Sequence, residues 1–376
     1  MNLRRISNWL FNLDARYPRT IIAGVIFITV VLGWKVFDLE LDPSIRSMLP
    51  RDHSIVESIE KVDQLFSGSD IIIIAVESDS LLNNPKTLEK LSSFQDSLEA
   101  MPLISRVTSI FNQKHIIPTD DGFKIEPLLT DYPVDTSDYF TFLDKLNKSG
   151  VIENLISKDY TKMCFIGQIN SSFDFDEFEF RKDINNLVDQ FSYPEEFFVS
   201  SLPITQATIV DNMQRDMRVF TPIAIGLGIF LLMLSFRSWT GVFLPFFVVG
   251  FSIIWTFGIM GWLNMSMAFI GTLIPVMLIA IANNYGIHII SHYFEYSKSD
   301  TSSTRGQILR KTIRKVGIPI LLAGLTTIIS FLSLFTHALP RAREMGLLIS
   351  FGILVSFILS IFLIPSVLVL VSRPHS

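Results

Sequence analysis

The chain has 376 residues, of which 49% are apolar and 18% charged, well below the roughly one quarter charged that is usual in soluble chains. Its mean hydropathy is +0.43, and with 32 Phe it is no disordered, collagen-like or disulfide-built chain, nor an ordinary soluble one. The lone Cys164 allows no internal disulfide and no Cys/His metal framework, and a net charge of −5 without a long basic tract excludes a nucleic-acid binder.

Taken in chain order, the first apolar stretch is Thr20–Phe37. A spanning helix needs about 20 mostly apolar residues. Arg16 and Arg19 precede this run and no small-residue cleavage site follows it, so it reads as an uncleaved anchor rather than a signal peptide. Residues 1–19 are then a cytoplasmic N-terminus.

Residues 38–218 form a different kind of chain. They hold 32 of the 36 Asp and Glu but 16 of the 31 Lys and Arg, a net of −16. The remainder carries a net of +11. An acidic soluble module is flanked by apolar segments with basic edges. Within it, Asp70–Glu77 (DIIIIAVE) reads as a buried strand, Pro85–Met101 as a helix and Ile104–Ile110 as a strand. Lys162–Ile169 is a further strand. Asp174–Phe191 is a helix with Phe178, Ile184, Leu187 and Val188 inward, and Glu196–Ser200 is a last strand. This β-α-β, β-α-β order predicts an α+β ferredoxin-like domain, with residues 111–160 as an insertion of undefined structure. Its His53 and His115 belong to no Ser/His/Asp grouping, so neither a catalytic residue nor a metal ligand set is expected. Phe173, Phe175, Phe178 and Phe180 alternate with acids, the pattern of a core or subunit contact more than of a ligand site. Pro203–Arg218 predicts a helix running straight into the next apolar segment.

Five further spans follow at Val219–Phe236, Thr240–Leu263, Met267–Tyr293, Val316–Thr336 and Met345–Val371. An arrangement of four spans with two buried core helices fits less well, because the runs are long and nearly free of charge. The fold class expected is therefore an α-helical membrane protein of six spans, occupying 20–37 and 219–371, with the α+β domain of 38–218 between spans 1 and 2 and a tail at 372–376. With the N-terminus inside, the inner ends carry 12 bases and the short outer loops only Arg341 and Arg343. This excess places both termini in the cytoplasm and residues 38–218 outside. The basic Thr304–Lys315 (TRGQILRKTIRK) is expected either along the inner membrane face or as a solvated connector.

A polar group inside hydrocarbon is costly and so marks function. No span has an Asp or Glu in its core; Glu344 stands only at the start of the last one. The polar residues cluster in two spans. The fourth holds Asn283, Asn284, Tyr285, His288 and His292, with Asn284, His288 and His292 on one helix face. The fifth holds Thr326, Thr327, Ser330 and Ser333. They fit either a transport relay or hydrogen-bond glue between helices. The His288/His292 pair has ligand spacing but no third ligand, so no metal and no cofactor is expected.

At these residues the chain resembles one half of a resistance–nodulation–division (RND) transporter, of the mycobacterial-membrane-protein-large and hydrophobe-exporter branch related to the Patched and Niemann–Pick sterol proteins. The resemblance rests on Ser235–Ser238 (SFRS), Ile281–His288 (IANNYGIH), Leu325–Leu334 (LTTIISFLSL), Arg343–Phe351 (REMGLLISF) and the closing Ile364–Pro365, and covers about Arg16 to Val371. It implies a transporter of a hydrophobic or amphiphilic lipid-like substrate, not an enzyme, in the cell inner membrane. It also implies that relay residues would be Asn283, Asn284, Tyr285, His288, Thr326, Thr327 and Ser330. Proton-coupled members carry an Asp where Asn284 stands here, and a Gly where Ser330 stands. An amide cannot exchange a proton, which leaves His288 as the central group able to do so. The family's full unit pairs two such halves, so a second copy or a sister half is the implied partner. A non-transporting lipid-binding or sensing scaffold subunit is the competing reading.

Overall fold

A computed structural model describes residues 17–44, 46–50, 54, 56, 58, 61, 70–78, 84–119, 122–129, 136–149, 155–170, 175–300 and 303–370. The expected cytoplasmic segments 1–16 and 372–376, together with His53 and Phe173, lie outside them. The elements are, in order, α1 (Pro18–Trp34), β1 (Leu41–Asp42), β2 (Ile71–Glu77), α2 (Pro85–Glu99), β3 (Ile104–Thr108), β4 (Lys114–Thr119), β5 (Gly122–Pro127), α3 (Thr136–Ser149), β6 (Lys162–Ile169), α4 (Glu177–Phe191), β7 (Glu196–Ser201), α5 (Leu202–Phe236), α6 (Trp239–Trp262), β8 (Met267–Ala268), α7 (Ile274–Ser299), α8 (Arg305–Leu332) and α9 (Pro340–Leu370). The chain divides into two compact units, residues 51–209 and residues 1–50 with 210–376.

In the first unit, the alternating pattern of β2 buries Ile72, Ile74 and Val76 on one face. Asn84 caps α2 by accepting from the Lys86 amide at 3.1 Å, with Pro85 in the first turn. Asp176 caps α4 in the same way, accepting from Phe178 N at 2.8 Å. The helices lay Leu88, Leu91, Phe94, Leu98, Phe180 and Ile184 onto the sheet. Strand order is β3-β6-β2-β7, with β6 antiparallel to β3 and β2, and β7 antiparallel to β2. This is the split β-α-β arrangement expected from the sequence. At its centre, Phe94 meets Phe165, Phe191 and Phe197 edge-on at centroid distances of 5.1, 5.4 and 5.0 Å. One expectation fails on helix phase: Phe178 is 38% exposed, beneath Arg181, whereas Phe180 is 1% exposed and fills the core. Phe175 packs on Phe180 at 5.6 Å. The segment 111–160 contains the β4–β5 hairpin and α3.

Among the described residues, six helices are long and apolar enough to span a bilayer: Pro18–Asp38, Leu202–Phe236, Trp239–Trp262, Phe269–Ser299, Arg305–Thr336 and Pro340–Leu370. The protein is thus a helical, multi-pass membrane protein carrying a small α+β unit between its first two spans. Its core lies among α6, α7 and α9, and the outer helices turn residues such as Phe27, Phe230 and Leu322 outward. Without an aqueous hydrophobic drive inside lipid, close packing and hydrogen bonds hold such helices together. Gly258 and Gly261 of α6 let α1 approach so closely that a β-carbon at either would collide with the carbonyls of Leu32 and Lys35. The Trp255 indole N–H donates to Thr29 Oγ1 at 2.9 Å, Ser356 to the Ala282 carbonyl at 3.0 Å and Ser350 to the Ile328 carbonyl at 3.2 Å. Beyond span 1, β1 pairs in parallel with β8, and Arg341 holds Asp42, Glu344 and the Ser266 carbonyl. Arg341, read from the sequence only as an outer-loop base, is therefore the hub of an ion-paired cluster.

Thr304–Lys315 is no separate surface segment. Thr304 forms a capping box with Gln307, and α8 runs unbroken from Arg305 to Leu332. Ile308, Leu309, Thr312 and Ile313 are buried, so this stretch is the first turns of the same helix that continues as the fifth span.

Candidate functional site

α7 and α8 are consecutive spans joined by a short link, and they face each other along two stripes. On α8, Lys315, Pro319, Ala323 and Thr327 recur every four residues. On α7, Ile281, Tyr285, His288 and His292 follow at spacings of four, three and four. These stripes, with Asn284, Val316 and Ile320, line a cleft of about 400 Å³, within the usual size of ligand pockets. Its walls contain no Asp or Glu.

The cleft has two ends. At one, Asn284 and the hydroxyls of Tyr285 and Thr327, within hydrogen-bonding reach of each other, stand close to Ile281. Tyr285 packs edge-on against Phe357 of α9 at 5.9 Å, which fixes its ring. At the other end lie His292 and Lys315. His292 Nδ1 sits 2.6 Å from Glu295 Oε2, whereas the Lys315 ammonium rests over the Tyr296 ring at 5.5 Å from its centroid. Among the described residues, no carboxylate pairs with Lys315. Pro319, Ile320, Val316 and Ala323 supply the apolar wall between.

The residues singled out from the sequence therefore separate. Asn284, Tyr285, His288 and Thr327 converge on the cleft. Asn283 is turned away from it and is 7% exposed in the bundle interior, its amide oxygen without a hydrogen-bond partner among the described residues. Thr326 and Ser330 lie on the exposed side of α8. The hydroxyls of the fifth span donate mainly back along their own helix: Thr326 and Thr327 to Ala323 at 2.9 and 2.8 Å, Ser330 to Thr326 at 2.8 Å. Glue between helices comes instead from Ser350 and Ser356, which were not among the polar residues singled out from the sequence. Lys315 was noticed only as part of a basic segment. Stepping back from Thr327 by fours along one helix face leads to it, and this was the signal available. Among the described residues no cluster of three metal-ligating side chains occurs.

A membrane protein of Methanocaldococcus jannaschii is 22% identical over 392 residues, covering 99% of this chain and 95% of its own length. The crystal structure of SecDF in its super-membrane-facing form aligns with a TM-score of 0.45 at 12% identity; the match covers 94% of this chain but only 38% of the SecDF chain. The model of the MMPL family matches residues 47–375, most of the chain, so the chain belongs to the MMPL family.

Proposed function

We propose that this chain is an RND-type membrane transporter that exports a hydrophobic or amphiphilic lipid-like molecule, working as a pair of half-size subunits in the inner membrane with both termini cytoplasmic. The observation that carries this reading is the uncovered polar face of the fourth and fifth spans. Asn284, His288, Thr326 and Ser330 are all exposed in the single chain, in helices otherwise built of Leu, Ile and Phe. Amide, imidazole and hydroxyl groups facing lipid are expensive, and a second copy placed against this face would remove them from it. Family membership supports transport, and the absence of Asp and Glu from the cleft walls assigns any proton step to His288, since Asn284 cannot ionise.

The test uses purified protein in proteoliposomes with an imposed proton gradient and a fluorescent lipid as cargo. His288→Ala should abolish gradient-driven movement of the cargo, while Asn284→Asp should be tolerated when the cargo carries no net charge. Cargo movement that survives an uncoupler and both substitutions would remove proton coupling from the proposal. The scaffold reading is favoured by one observation only, the lack of any Asp or Glu in the apolar cores of the spans. It predicts cargo binding without movement under every gradient.

A further inference from the structure

We infer that the α7–α8 cleft binds the headgroup and one acyl chain of an anionic amphiphile, a carboxylate or phosphate head seated between Lys315 and His288 with its chain along Val316, Pro319, Ile320 and Ala323. The inference deepens the proposed function and rests on it for the relevance of lipid, but not for the site.

Three observations carry it. The walls offer hydrogen-bond donors and a cation at Lys315, His288, Asn284 and Tyr285, and no Asp or Glu. Two acids near the helix ends already have partners: Glu295 pairs with His292 at the cleft's edge, and Asp300 with Lys311 through a contact at 2.5 Å. Lys315 itself is held over the Tyr296 ring with no carboxylate against it among the described residues. A cation at the edge of an apolar cleft lacks a counter-charge, and an anionic headgroup supplies one.

The volume and the lining set the rest. About 400 Å³ suits a single chain rather than a bulky polycyclic cargo, and the chain-facing residues are unbranched by any polar group between Val316 and Ala323. Asn284 at the far end then has a definite role. One turn from His288 on the same helix face, it keeps this part of the cleft uncharged where a carboxylate would repel the bound anion.

The experiment measures equilibrium binding of radiolabelled probes to the full chain in phosphatidylcholine nanodiscs, with no gradient imposed. The probes share one 18-carbon chain: oleate, oleoyl lysophosphatidate, neutral oleyl alcohol and zwitterionic oleoyl lysophosphatidylcholine. Oleate or the lysophosphatidate should bind at least tenfold more tightly than the alcohol, a gap of roughly one like-for-unlike charge contact. The comparison between the two anions decides whether carboxylate or phosphate is the better head. Lys315→Met, which keeps the stem and removes the charge, should erase about fivefold of that preference. Asn284→Asp should weaken anion binding by about tenfold and leave the alcohol unchanged. Lys298→Met, in the last turn of α7 and outside the cleft walls, serves as the control and should change neither.

Equal binding of alcohol and anions, or a preference untouched by both Lys315→Met and Asn284→Asp, would overturn the inference. Because no transport is measured, a positive result here stands even if the chain moves no cargo, and a transporter with no anion preference would sink this inference alone.

Discussion

Glu195 shows how a single side chain ties the α+β unit together. It is 2% exposed, accepts from Thr87 at 3.1 Å and pairs with Lys90, which also donates to the Tyr193 carbonyl. Burial works against its charged form, but the Lys90 and Thr87 hydrogen bonds and its own amide outweigh burial and hold its carboxyl below the ordinary 4.5. Asp159 is held lower still, from 3.8 to about 2, by hydrogen bonds from Ser157 and Thr161. Both acids bind protons more readily in the unfolded chain. Their stabilisation is therefore complete above their ordinary values and is lost as pH falls through the depressed ones. Glu195→Gln should destabilise this unit by about 2 kcal/mol at pH 7, read as a lower urea midpoint in pulse proteolysis of the full chain. The gap between variant and wild type should close as pH falls below 4.5 and through the depressed value of Glu195, because protonation removes the same charge. A gap independent of pH would show that the pair contributes no electrostatic stability. The sequence offered Lys90 and Glu195 as two ordinary surface-type charges. Only the fold, which brings α2 against the segment before β7, makes them partners.

At the scale of the element, the spans were legible because each is a long apolar run, and the bilayer forces such runs into helices whose own backbone bonds are satisfied. Their contacts were not legible. Gly258 meets the carbonyl of Leu32, whereas Gly250 on the same helix has nothing within 4 Å of an added β-carbon. Gly258→Ala should lower the thermal midpoint of the detergent-solubilised protein, an overpacking cost of about 1–3 kcal/mol. Gly250→Ala should hold or raise it, by up to about 1 kcal/mol of helix propensity. Equal shifts in the two variants would show that α1 does not press on α6. The continuity of α8 is a similar case. Charge in Thr304–Lys315 suggested a surface segment, but the capping box at Thr304 starts one helix that carries Lys315 into the wall of the cleft.

For the whole molecule, the proposed pairing of two copies through the fourth and fifth spans has a direct test. In a chain whose native Cys164 is changed to Ser, Ser330→Cys should form a disulfide-linked species at twice the 42.7 kDa mass when membranes are oxidised. Thr326→Cys should behave alike, and Leu234→Cys, on the exposed outer side of α5, should not. Cross-linking at Leu234 alone would move the interface to α5 and remove the burial argument from the proposed function.

Composition and order alone determined the class of this protein. An acidic β-α-β, β-α-β module between apolar runs can fold only outside the lipid, and uncharged runs of such length only inside it. The strand order followed from the same pattern, because helices on one face and right-handed crossovers leave few alternatives. What the tertiary structure decided is which polar groups meet. Helix periodicity places Asn284 and His288 on one face but does not say what stands opposite. That depends on how α7 and α8 are phased against each other, a choice made by packing of side chains many residues apart. So Asn283, adjacent in sequence to Asn284, went to the interior, and Lys315, twelve residues before Thr327, came into the same cleft as His288.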